Sequence, residues 1–77
     1  MSNPNHNEAL AEEIARGLQE PDSIRMFRAL IQRYPEDIIL RAYEETLGYP
    51  VAKIRKSRGA IFNFLLKKYG RQQHFNS

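Results

Sequence analysis

Apolar residues recur along this chain at three- and four-residue intervals, the spacing of one helix face, and no segment alternates as a half-buried strand would. The first run covers residues 8–20. Leu10, Ala11, Ile14, Ala15 and Leu18 form its stripe, with Glu8, Glu12, Glu13, Arg16 and Gln19 outside it. Pro21 ends that run, because the residue before a proline avoids the α region. Asp22 or Ser23 caps a second helix reaching Tyr34, with Ile24, Phe27, Leu30, Ile31 and Tyr34 inward. Pro35 opens a third helix at its first position, where a missing N–H costs nothing; Ile38, Ile39, Ala42, Tyr43 and Leu47 face inward and Gly48 closes it.

The rest of the chain restarts at Tyr49-Pro50. Residues 50–56 read as a short helix, and Ser57 as the N-cap of a last helix over about 58–69 that closes at Gly70. This last helix is apolar over most of its circumference, with Ile61, Phe62, Phe64, Leu65, Leu66 and Tyr69, and a polar strip of Asn63 and Lys67. Such a helix is wrapped by its neighbours or by a second copy of the chain. The pattern therefore predicts an all-α fold, a compact bundle of four to five short helices. It forms a single domain over residues 8–70, between a flexible N-terminal arm at 1–7 and a flexible C-terminal tail at 71–77. Phe27, Leu30, Ile39, Tyr43, Ile61 and Leu65 are its expected core.

Charge changes the picture, because it is distributed unevenly. Residues 1–48 carry nine acids against five arginines and no lysine, a net charge of −4. Residues 49–77 carry no acid and seven bases, Lys53, Arg55, Lys56, Arg58, Lys67, Lys68 and Arg71, a net charge of +7. A stretch without acids repels itself, borrows acids from the first half, or meets an anionic partner. The phosphate backbone of a nucleic acid rewards each base through counterion release and is the preferred partner. An acidic protein surface is the alternative, and a solvated face with salt bridges to the first half is the plainer reading. Exposed pairs contribute only about 0–1 kcal/mol each, so stability gives little reason to gather seven bases here.

Within the basic stretch, Lys56-Ser57-Arg58-Gly59 admits two readings. If Ser57 caps a helix, the N–H groups of residues 58–60 make a phosphate seat beside Arg58, and Gly59 leaves room for approach. Alternatively Ser57 is only a cap and Gly59 allows close helix packing; this second reading is slightly preferred. The candidate nucleic-acid contacts are Lys53, Arg55, Lys56, Ser57, Arg58, Lys67, Lys68 and Arg71. A helix-turn-helix reading of the second and third helices is disfavoured, since Glu36, Asp37, Glu44 and Glu45 would lie near phosphates. Few aromatics are expected among the exposed bases, so stacking on single strands is not expected either.

Catalysis has little to stand on. The two histidines, His6 and His74, fall in the expected tails, where a general base has no fixed position. No His/Glu spacing suits a metal and there is no glycine-rich phosphate loop, so neither catalytic residues, cofactor nor metal is expected. The absence of cysteine removes disulfides and thiolate chemistry and fits a reducing cytoplasm. No apolar run approaches a membrane span, and the N-terminus lacks the regions of a signal peptide.

A helix ending in Leu30-x-x-x-Tyr34-Pro35-Glu36-Asp37-Ile38-Ile39, then a helix, a linker and Gly59, Ala60, Phe62 and Leu65, resembles helical segments near the C-terminus of plasmid and phage replication-initiation proteins. The resemblance covers residues 22–70 and rests on core and turn positions. The resemblance does not extend to the large N-terminal DNA-binding part that those proteins carry, and an extra helix is expected ahead of the matching residues. The resemblance implies a small module for DNA transactions, or for protein contacts around them, and identifies no binding residue. Two functions are therefore expected in order. The first is a non-enzymatic, nucleic-acid-associated helical module working through residues 53–71. The second is a protein-interaction adaptor, self-associating as a homodimer through its apolar last helix.

Overall fold

The structure is a computed structural model that describes the backbone of residues 4–53 and 57–75. Four α-helices follow one another among the described residues: α1 (Pro4–Gly17), α2 (Ile24–Arg33), α3 (Glu36–Leu47) and α4 (Arg58–Phe75). Short 3-10 turns lie at Pro21–Ser23, between α1 and α2, and at Val51–Lys53, after α3; Tyr34 and Pro35 join α2 to α3, and no strand occurs among the described residues. The all-α class is as expected. Of the short helix expected over residues 50–56, Val51–Lys53 form the second 3-10 turn, and Ile54, Arg55 and Lys56 lie outside the described residues.

Each helix buries the stripe its sequence carries except at the end of α3, where Leu47, expected inward, is 50% exposed and its neighbour Thr46 is buried, the Thr46 hydroxyl donating to the Ala42 carbonyl at 2.7 Å. Ala11, Ile14, Ala15 and Leu18 of the first run meet Phe27, Leu30 and Ile31 of α2, because α1 packs on α2. Ile38, Ile39, Ala42 and Tyr43 of α3 and Phe62, Leu65, Leu66 and Tyr69 of α4 join the same core, with α3 packed on α4. Phe27 and Phe62 tie α2 to α4, their ring centroids 5.7 Å apart and their planes at 78°, an edge-to-face pair. The Tyr43 hydroxyl donates to the Glu13 carbonyl at 3.4 Å, linking α3 to α1. Of the six expected core residues five are buried, and Ile61 is partly exposed at the core's edge. Full burial of one such side chain is worth about 1.5–3 kcal/mol.

Helix ends differ from expectation where tertiary contacts override local signals. α1 starts at Pro4, so the arm expected at residues 1–7 is helical in its second half. Proline is accommodated in a first turn, and a hydrogen bond between His6 and Glu36 and an ion pair between Glu8 and Arg28 hold this turn against α3 and α2. Pro35 occupies the N-cap of α3, not its first helical position, with the extended φ/ψ of −62° and 152°. Gly48 ends α3 with a right-handed φ of −86°.

At the other end, α4 runs through Gly70 to Phe75, so the tail expected from residue 71 is largely helical. Gly70 is a packing residue here, because a Cβ would come within 2.7 Å of the Tyr34 ring. The left-handed residue that terminates a helix is instead Gln19, φ 59°. Its N–H donates to the Arg16 carbonyl at 3.1 Å and that of Glu20 to the Ala15 carbonyl at 2.8 Å. This is the Schellman pattern, with glutamine where glycine is usual.

Candidate nucleic-acid interface

The core stripe of α4 decides what its other side presents. Phe62, Leu65, Leu66 and Tyr69 sit at i, i+3, i+4 and i+7 and are all buried. Phe64 is two residues from both Phe62 and Leu66, a rotation of about 200° from each, so it points away from the core. It is 61% exposed. Lys67, Lys68 and Arg71 follow it at i+3, i+4 and i+7, all exposed, and with it make one outer face. Asn63, expected on a polar strip with Lys67, is half-buried, and its Oδ1 is buried without a hydrogen-bond partner among the described residues.

The remaining expected contacts lie apart from this face. Lys53 is exposed in the 3-10 turn, and Arg58 is the half-buried first residue of α4. Nine residues separate Arg58 from Lys67, about 14 Å of helix rise. The basic stretch is thus divided into a group at the start of α4 and a group along its outer face. Arg55 and Lys56 lie outside the described residues.

The start of α4 is not open to a phosphate. Ser57 Oγ accepts the Ala60 N–H at 3.0 Å, as expected of an N-cap. The Gly59 N–H donates to Glu20 Oε2 at 2.9 Å, so an internal carboxylate occupies the positive end of the helix. Gly59 is buried, and a Cβ there would come within 2.5 Å of Glu20 Oε1 and 3.3 Å of Met26 Cε. Of the two readings of Lys56-Ser57-Arg58-Gly59, the structure matches cap and close packing. Ser57 is committed to this cap, and Glu20 repels a phosphate from the same place.

Four acids of the first half, Glu8, Glu20, Glu36 and Glu45, are engaged, but not with the charged side chains of the second. Glu8 pairs with Arg28 and Glu36 with His6. Glu45 accepts the Tyr69 hydroxyl, and the Arg41 guanidinium lies over the Tyr69 ring, 3.9 Å from its centroid. The Glu45 hydrogen bond, with burial added, raises the Tyr69 pKa above its ordinary value. Burial first, and then the Glu13 charge, does the same for Tyr43. Among the described residues no acid forms an ion pair with Lys53, Arg58, Lys67, Lys68 or Arg71.

Two other surfaces compete for attention. α3 turns Glu36, Asp37, Glu44 and Glu45 to solvent with Arg41 alone against them, a face that phosphates avoid. A groove of about 640 Å³ runs between α1, α2 and the start of α3, floored by Leu10, Ile31, Tyr34 and Ile39. Its charged rim is satisfied internally by the Glu8–Arg28 and His6–Glu36 pairs. Among the described residues no three His, Asp or Glu side chains gather as a metal site. No helix is long and apolar enough among them to cross a membrane. No family model, curated protein or solved structure matches the chain.

Proposed function

We propose that the chain is a non-enzymatic helical module that binds nucleic acid through phosphate contacts, centred on Lys67, Lys68 and Arg71 of α4. Lys53 and Arg58 extend the positive field towards the start of that helix. The carrying observation is that the outer face of α4 holds exposed bases and no acid, while the acids that reach α4, Glu20 and Glu45, are hydrogen-bonded to the Gly59 amide and the Tyr69 hydroxyl. A face whose charge is left uncompensated inside the molecule is suited to external phosphates. The resemblance of residues 22–70 to replication-initiation segments supports a setting in DNA transactions.

Titration of a labelled oligonucleotide at about 50 mM salt tests this reading. Combined Lys67→Glu and Lys68→Glu weakens binding to all sequences alike, because phosphate contacts position a protein without reading bases. Glu44→Gln on the acidic face of α3 leaves binding intact or slightly stronger. Absence of binding by the unaltered chain overturns the proposal in favour of an adaptor for an acidic protein.

A further inference from the structure

We infer that the outer face of α4 takes single-stranded nucleic acid, with a base stacked on Phe64 and the adjoining phosphates held by Lys67, Lys68 and Arg71. This rests on the nucleic-acid reading of the same face and adds the class of strand. Phe64 is the most exposed of the large apolar side chains of the described residues, and it contributes nothing to the core. The other two such residues, Leu40 and Leu47, stand on α3 among its acids. Phe64 alone is aromatic and lies one turn from Lys67 and Lys68 and two turns from Arg71, about 10 Å of helix in all.

That combination selects its occupant. An exposed π-face ringed by cations suits a ligand with a flat aromatic surface and negative charge repeated along its length. A single strand offers both, whereas a duplex keeps its base faces stacked inside. Sequence reasoning grouped Phe64 with the apolar circumference of α4 and so found no stacking residue; its position two residues from Phe62 and from Leu66 is what turns it outward.

The test compares a mixed-sequence single-stranded oligonucleotide with its own duplex at about 50 mM salt. Phe64→Ala is expected to weaken single-strand binding by about 5- to 150-fold, the effect of losing one stacked base, and duplex binding by less than about twofold. Phe64→Tyr retains single-strand affinity, and Phe64→Leu, which keeps apolar bulk without a π-face, does not. The helical circular-dichroism signal is unchanged in all three. If Lys67→Glu with Lys68→Glu weakens binding while Phe64→Ala does not, the phosphate reading stands and the stacking inference fails. If neither strand form binds, both fail. A fall in mass from dimer to monomer on Phe64→Ala makes a second copy of the chain the occupant and overturns the inference.

Discussion

The Glu20 carboxylate accepts the Gly59 amide at 2.9 Å across 39 residues of sequence, so the turn after α1 caps the start of α4. This contact satisfies a helix-end donor and places a negative charge at the positive end of the helix dipole. It also shows how the acid-free half of the chain draws on the acidic half: through a backbone amide here and the Tyr69 hydroxyl at Glu45, while no lysine or arginine side chain of α4 pairs with an acid among the described residues.

Glu20→Ala is expected to cost about 1 kcal/mol of stability, the usual value of a helix cap, measured by urea denaturation. The same substitution vacates the start of α4 beside Arg58 and strengthens oligonucleotide binding. Loss of stability with gain of affinity is the signature of an internal carboxylate occupying an anion seat. Equal stability in the variant and the parent contradicts the cap.

Gln19 holds a left-handed φ of 59° to deliver Glu20 to that position. A non-glycine residue there carries about 1 kcal/mol of steric cost that glycine avoids. Gln19→Gly is therefore expected to stabilise the protein by about 0.5–1 kcal/mol, seen as a higher melting temperature. A lower one shows that the glutamine side chain, and not only its backbone, is needed at the turn.

The residues that were hard to read from the sequence explain what its pattern can carry. The stripes of α1 and α2, and that of α3 as far as Tyr43, were legible because those apolar positions follow a 3.6-residue period and burial enforces it; Leu47, at the last turn of α3, fits the period but is exposed. Ser57 was legible as a cap because its chemistry is local, within three residues of Ala60. Gly70 was misread as a terminator, since local signals do not show that Tyr34 packs where its Cβ would be. The first turn of α1 was misread as an arm for a similar reason: its support comes from Arg28 and Glu36 on other helices. The basic character of the site was plain from charge alone. Its division into two groups, and the outward Phe64, required the helix geometry.

Tyr69 predicts an alkaline limit to stability. Its hydroxyl donates to Glu45 and is buried, and both effects hold it protonated, so its folded-state pKa lies above the unfolded value near 10. Stability from this source is complete below about pH 10 and is lost as pH rises through the folded-state value. Tyr43, raised by burial, acts in the same direction. Denaturation midpoints are expected to stay level from neutral pH and fall above about pH 10. Tyr69→Phe costs about 1–3 kcal/mol at neutral pH and makes the alkaline fall shallower. An unchanged alkaline fall in that variant removes Tyr69 as its source.

Leu65 joins α4 to the common core. Leu65→Ala is expected to destabilise the protein by about 2–5 kcal/mol, the range for large-to-small changes in a packed interior. Thermal unfolding followed by circular dichroism reads this directly. An unchanged melting temperature places α4 outside the cooperative core.

The salt dependence of oligonucleotide affinity tests the central claim most directly. With about four to six phosphate contacts from the bases of residues 53–71, the slope of log K against log salt on duplex DNA is expected to be about −4 to −5. Lys67→Glu with Lys68→Glu makes it shallower by about 2 units. A flat slope, or no measurable binding of either the duplex or the single strand at about 50 mM salt, contradicts the account.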